Sequence, residues 1–165
     1  MRFQNSVFFI FFGMVLLAFY TSAHPIEKLY SKSYYSNGTL KAEGWKQMDI
    51  KTDYWIFYHE NGSIASKGHF DDGKRNGYWY FYDQNRKPVK EGHYKKGSAE
   101  NWWIFYSEDL KIEHRYQYKF NKKNGFALIY KNGTLIKAEK YKNDKKLGEW
   151  TSLAAFKKDN PNASL

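Results

Sequence analysis

An aromatic cluster recurs every 24 residues: Tyr54–Tyr58 (YWIFY), Tyr78–Tyr82 (YWYFY), Trp102–Tyr106 (WWIFY) and Phe126–Tyr130 (FALIY). A fixed short period constrains the fold strongly, because each unit must bury its apolar surface against its neighbours. A Trp column runs Trp55, Trp79, Trp103 and then Ala127, and a Tyr column runs Tyr34, Tyr58, Tyr82, Tyr106 and Tyr130. A degenerate last copy (GEWTSL, from Gly148) puts Trp150 in the Trp column one residue early. The missing residue falls in the turn at Tyr130–Gly133 (YKNG), one shorter than Tyr58–Gly62 (YHENG).

The other half of each unit aligns as well. Gly44, Gly68 and Gly92 form a column, with Lys46, Phe70 and Tyr94 two residues on; in the fourth copy these become Tyr116 and Tyr118. An apolar column runs Leu40, Ile64, Pro88, Ile112 and Leu135. Turn residues separate the halves. Asn37-Gly38, Asn61-Gly62 and Asn132-Gly133 predict type I′ hairpin turns, which need positive φ at both central residues. A second turn is read at Asp71–Gly77 (DDGKRNG), with Lys95–Asn101 and Lys119–Gly125 in the same place.

Each unit therefore holds two strands of about six residues rich in Tyr, Trp, Phe and Ile. The predicted fold is all-β: an elongated single-layer antiparallel meander of repeated hairpins, with roughly ten strands spanning roughly 45–50 Å. Trp79 and Phe81 share one face, and Tyr78, Tyr80 and Tyr82 the other. Both faces carry rings, so ordinary half-buried alternation does not apply. The Trp rings are predicted to lie over the Gly column, where a missing side chain leaves room for an aromatic plate. Gly44, Gly68, Gly77 and Gly92 are read as structural glycines.

Composition agrees with a thin architecture. Aromatic residues make up 21% of the chain, and mean hydropathy is −0.82, so flat ring surface is plentiful while a deep aliphatic core is not. There is no Cys, so no disulfide framework is available. Met1–Ala23 reads as a signal peptide: Arg2, an uncharged apolar run from Val7 to Tyr20, then Thr21, Ser22 and Ala23. The alternative is an uncleaved N-terminal anchor. Cleavage after Ala23 removes Arg2 from 27 Lys and Arg, leaving 26 against 17 Asp and Glu, or +9. The expected divisions are a signal peptide at 1–23, a leader segment at 24–33, the repeat domain at 34–153 and a polar tail at 154–165. The expected location is the periplasm or the exterior of a bacterium.

The pattern N-G-x-L-x-x-x-G, a basic Gly turn and then G-x-W-x-x-Y resembles the MORN repeat, most closely its variant form in bacterial proteins. Gly77–Tyr82 (GYWYFY), preceded by Asp72–Asn76, carries the best match, and the resemblance spans about Tyr34 to Leu153. It implies an elongated single-layered antiparallel sheet used as a scaffold. Some bacterial members are named as antitoxins of secreted toxin pairs, and some MORN proteins are associated with membrane lipids. The fourth copy departs from the pattern at Tyr116 and Ala127.

No catalytic constellation is recognisable, and the chain is read as a binding or structural protein, not an enzyme. His69 and His93 occupy equivalent positions without a recurring second ligand, so they read as surface residues and no metal or cofactor is expected. Asp71-Asp72-Gly73 lacks the rest of a calcium loop and reads as a turn. Glu43, Lys67, Glu91 and Arg115 fall in one column, and their alternating sign predicts cross-strand ion pairing. Lys95-Lys96, Lys122-Lys123, Lys145-Lys146 and Lys157-Lys158 concentrate positive charge in the second half. A secretory leader argues against nucleic acid. The expected partner is a protein, with an anionic membrane surface or envelope glycan as the alternative. Trp55, Tyr58, Trp79, Tyr82, Trp103 and Tyr106 are the candidate binding residues, each also eligible for a structural role.

Overall fold

The computed structural model describes residues 27–163; the expected signal peptide, the start of the expected leader segment and the last two residues lie outside that range. The described chain forms β1 (Lys28–Tyr34), β2 (Leu40–Gln47), β3 (Ile50–Tyr58), β4 (Ile64–Asp71), β5 (Lys74–Tyr82), β6 (Pro88–Lys95), β7 (Ser98–Tyr106), β8 (Ile112–Lys119), β9 (Lys122–Lys131), β10 (Thr134–Lys142) and β11 (Lys145–Trp150), then α1 (Leu153–Asp159). All eleven strands join one open antiparallel sheet in sequence order. The meander follows from the turns. Each connection is too short for a crossover, so each strand can pair only with the one before it.

The two rims use different turns. At one rim, Met48/Asp49, Asp72/Gly73, Lys96/Gly97, Phe120/Asn121 and Asn143/Asp144 each place two successive residues at positive φ. These are two-residue type I′ loops, matched to strand twist. The longer turn read at Asp71–Gly77 is thus corrected: β5 already begins at Lys74. At the other rim only Gly38 and Gly62 of their Asn-Gly pairs have positive φ. The Gly38 N–H donates to the Tyr35 carbonyl at 3.0 Å, and the Gly62 N–H to that of His59 at 2.9 Å. These are type I turns closed by a left-handed glycine, not type I′. The Asn Oδ1 of each accepts the N–H two residues on, at Thr39 (2.9 Å) and Ser63 (3.0 Å). Asn132-Gly133 is the exception, with φ of 50° and 77°. One residue has been lost there, and a two-residue loop needs both residues left-handed.

Asn76-Gly77 is a bulge. Gly68 pairs with Trp79 while His69 pairs with Asn76, so β5 carries two extra residues. Asp53, Gly77, Asn101 and Gly125 share this left-handed bulge column. Asn and Asp tolerate the conformation through local polar contacts, which is why glycine is not needed in every copy. Two extra residues are an even number, so the faces stay in phase.

The expected leader segment contains most of β1, and the expected polar tail contains all of α1 but Leu153. Ser152 caps the helix, its hydroxyl accepting from the Ala155 N–H at 3.2 Å. Phe156 is 1% exposed. It packs with Leu128 and Ala138, flanked by Trp102, Phe126, Leu135 and Trp150. Phe156 is the buried residue of this helix and anchors it, within a tail whose overall polarity hid it.

Candidate functional site

On the first face, Gly44, Trp55, Gly68, Trp79, Gly92 and Trp103 stand in one cross-strand row. A Cβ added to Gly44, Gly68 or Gly92 would approach the ring of the following Trp to less than 3.0 Å. The indole plates therefore lie on bare backbone, as the sequence led us to expect. Each ring N–H is satisfied by a backbone carbonyl: Trp55 on Trp45 (2.8 Å), Trp79 on His69 (3.0 Å) and Trp103 on His93 (3.0 Å). Rings continue on both sides, with Phe70 edge-on to Trp79 at 5.1 Å and Tyr94 edge-on to Trp103 at 4.9 Å.

Cations cover this ladder. Arg75 stands 4.6 Å from the Trp79 ring centre, Lys51 5.1 Å from Trp55 and Lys90 4.9 Å from Phe81. Their alkyl stems and charges cover aromatic surface that a single-layer sheet would otherwise leave wet. The three Trp are at most 3% exposed. Of the candidate binding residues, Trp55, Trp79 and Trp103 thus lie inside the packing, where sugar rings cannot stack.

Tyr58, Tyr82 and Tyr106 belong to the opposite face, with Tyr54, Tyr78, Tyr80, Ile56 and Ile104. The Tyr58 hydroxyl donates to Glu43 at 2.6 Å, and the Tyr106 hydroxyl to Glu91 at 3.2 Å. Lys67 lies over Tyr82 at 5.7 Å and Arg115 over Tyr130 at 4.5 Å. Carboxylate–phenol and cation–phenol pairs therefore alternate along the sheet. Burial, and then the neighbouring carboxylate, push Tyr58 and Tyr106 up to about 12, and Tyr78 is raised for the same reasons. The hydrogen bond from Tyr58 in turn holds Glu43 below the usual carboxylate range.

The ion pairing expected within the charge column does not occur. Ile56 separates Glu43 from Lys67, Tyr80 separates Lys67 from Glu91, and Ile104 separates Glu91 from Arg115. Glu43 pairs with Lys32 at 3.5 Å, and Arg115 with Glu113 on its own strand. Alternation by repeat places column members two strands apart, beyond side-chain reach.

Tyr54 and Tyr80 are 39% and 37% exposed, and Ile56, Tyr78, Tyr82, Ile104 and Tyr106 are half-buried, with no second layer over them among the described residues. A shallow depression of about 430 Å³ is lined by Gly62, Ser63, Ile64, Lys67, Tyr82 and Arg86. The sequence reading missed Tyr54, Tyr78 and Tyr80 as surface residues. Strand alternation from Trp79 was the signal that could have found them, had burial been assigned to the Trp face first. His69 and His93 are exposed, each edge-on to a ring, Tyr54 and Tyr78. Among the described residues, no group of three or more acidic or His side chains converges to hold a metal.

From β8 onward the pattern reverses. Tyr116 and Glu139 stand where Gly would be, and Ala127 where Trp would be. Glu139 accepts from Tyr141 at 2.8 Å and from Lys146 at 2.9 Å, and Lys123 lies 3.8 Å from the Tyr116 ring centre. Trp150 does not continue the Trp column. The bulge beside the type I′ rim holds one extra residue here, Leu147, and Trp150 pairs with Ala138. An odd insertion turns a strand over, so Trp150 faces α1, edge-on to Phe156 at 5.4 Å and donating to Asp159 at 2.8 Å.

The turns of the type I′ rim also sort by charge. Residues 95–98, 119–122 and 142–145 carry Lys95, Lys96, Lys119, Lys122, Lys142 and Lys145 against Asp144 alone, and all six lysines are exposed. Comparison of the chain with protein-family models and with curated proteins finds no match.

Proposed function

We propose that this chain is an exported repeat scaffold that binds a protein partner through its tyrosine face. The observation that carries the reading is the contrast between faces: the Trp rings are packed and roofed, while Tyr54, Ile56, Tyr78, Tyr80 and Ile104 are ordered by the sheet and, among the described residues, left without a covering layer. Tyrosine held by neighbours presents large amphipathic area at low entropic cost. Among the described residues no acid–base or nucleophile arrangement accompanies it, and binding is the role proposed. The test is capture of a specific partner from envelope extract by the wild type. A Tyr54→Ser/Tyr80→Ser variant, with an unchanged melting curve, is expected to lose that partner. Equal capture by the variant refutes the face assignment.

The same reading takes the repeat as a variant of the MORN type and an antitoxin-like role as its most specific form. Co-expression with a toxin-like neighbouring gene, if one adjoins, is expected to restore growth with the wild type and not with the double variant. The lysine rim supports a second reading, contact with an anionic surface such as a membrane leaflet. Each lysine near such a surface contributes about 1 kcal/mol, screened by salt. Cosedimentation with anionic vesicles, abolished at high salt and absent with neutral vesicles, is the expected result. Envelope glycan would have to stack on Tyr54 and Tyr80, since the Trp rings are covered.

A further inference from the structure

We infer that the protein partner of the tyrosine face is a second copy of this chain, docked face to face about a two-fold axis that runs parallel to the strands over Tyr80. This rests on the reading of that face as the binding surface and names its occupant.

The argument starts from the charge column. Lys67 and Glu91 flank Tyr80 symmetrically, on β4 and β6, each directly across from it. Glu43 and Arg115 stand two strands further out on either side. Along the sheet the signs read minus, plus, minus, plus. An axis parallel to the strands reverses this order in the second copy while keeping the row aligned with itself. Every carboxylate then meets a cation: Glu43 faces Arg115, and Lys67 faces Glu91, twice each by symmetry. An axis perpendicular to the strands keeps the order and sets like against like. The pattern is therefore self-complementary in one of the two face-to-face arrangements, the property an isologous interface requires.

A second observation points to the same centre. The outer charges have ion partners within the chain, Lys32 for Glu43 and Glu113 for Arg115. Lys67 and Glu91 have none among the described residues: Lys67 lies over the rings of Tyr80 and Tyr82, and Glu91 accepts from Tyr106. Two half-buried opposite charges without an ion partner flank the very position where the axis falls. The strands between the four charges of the row supply apolar contact through Ile56, Tyr80 and Ile104. The helix is also placed to permit the pairing. Rotation about β5 sets β9 opposite β1, so α1, which packs over the last strands on this face, comes to the first edge of the other copy instead of between the faces. There the rings of Tyr30 and Trp45, 50% and 40% exposed, form an uncovered edge-on pair at 5.1 Å.

The test is a charge swap read by sedimentation equilibrium and a melting curve. The wild type is expected to be a dimer at micromolar concentration. Glu91→Lys places two cations against two cations and is expected to weaken association about ten-fold or more. The double variant Lys67→Glu/Glu91→Lys re-creates opposite signs across the axis and is expected to return association to within about three-fold of wild type. Folding of both variants is expected to be retained, since Glu43–Tyr58 and Arg115–Tyr130 show each sign accommodated at equivalent positions. Independently, a Tyr80→Cys variant, in a chain without other cysteine, should cross-link to a dimer through a short bis-maleimide. A monomeric wild type, a dimer indifferent to Glu91→Lys, or a double variant that stays monomeric overturns the inference. In those cases partner capture that depends on Tyr54 and Tyr80 still upholds the binding face, whereas its absence removes both.

Discussion

Strands β3–β7 and strands β8–β11 share the same 24-residue unit, yet only the second group buries apolar residues on both faces, Ala127 and Ile129 on the Trp face and Leu128 and Ala138 on the other. In the middle of the sheet, Gly and Trp alternate across the strands and the Trp face is dry, while the Tyr face holds charges beside phenols. Toward the end, Tyr116, Ala127 and Glu139 turn the Trp face polar. Ala138 meanwhile occupies the row of Lys67 and Arg115, beside Leu128, and the Tyr face becomes apolar enough to take α1. The difference shows how a one-dimensional array ends. Interior units are covered by identical neighbours, and the last needs a different cap. Here the cap lies across the face instead of on the edge.

The comparison can be broken most severely at its centre. Trp79→Ala removes the fully buried plate shared by two glycine strands, and should cost about 3–5 kcal/mol in urea unfolding. Ala127→Trp is the reciprocal change. If the ladder were merely interrupted there, it would stabilise; because Tyr116, Glu139 and Tyr141 fill the space, it should destabilise by about 1–3 kcal/mol. Phe156→Ala, at the other centre of packing, should act locally. Hydrogen exchange should accelerate in β9–β11 with β3–β7 unchanged, in keeping with nearest-neighbour stability.

Two glycines sharpen the account of the middle. Gly68→Ala drives a methyl into the Trp79 ring and should cost about 1–3 kcal/mol. Gly77 has nothing within 4 Å of a built Cβ, but its φ is +75°. Gly77→Asn should therefore be nearly neutral and Gly77→Ala should cost about 1–2 kcal/mol, a split that steric crowding would not produce. A smaller effect is expected at the rim of the Asn-Gly turns. Gly38 and Gly62 close their turns without strain, but Arg86 and Leu110 stand at positive φ in later turns, 67° and 58°. Leu110→Gly should raise the midpoint by an amount equivalent to about 0.5–1 kcal/mol.

The smallest effect joins both regions. Tyr58 and Tyr106 on one face and Tyr141 on the other are raised to about 12. The folded state holds their protons more tightly than the unfolded chain, where phenols titrate near about 10. Their contribution is complete below about pH 10 and is lost as pH rises through about 12. Urea midpoints should fall over that window. Phenolate absorbance should show these groups ionising later than free tyrosine, and Glu139→Gln should advance Tyr141 without moving Tyr58.

Much of this was legible in the residues. The 24-residue period, the turn signals and strand alternation foretold a meander of about this strand number, and the Gly and Trp columns foretold their stacking. The turn types were legible only in part, because Asn-Gly suits both a type I′ pair and a type I turn with a following glycine, and the count of loop residues decides between them. Column charges were legible as a pattern but not as contacts, since the intervening strand is invisible to an alignment of repeats. The Tyr face was hidden by the conspicuousness of Trp: the rings most often found in binding sites are here the ones packed away, roofed by Arg75, Lys51 and Lys90.

The sequence by itself determined strand order, antiparallel pairing and which residues share a face within one unit. These depend on local periodicity and on connections too short for any other topology. Only the tertiary structure decided which face is dry, where Trp150 points and that 153–159 folds back as a helix. A bulge of two residues preserves the alternation and a bulge of one inverts it. The size of a bulge is set by cross-strand hydrogen bonding and by what must be buried opposite, here Glu139 on one side and Phe156 on the other, quantities that no local run of residues encodes.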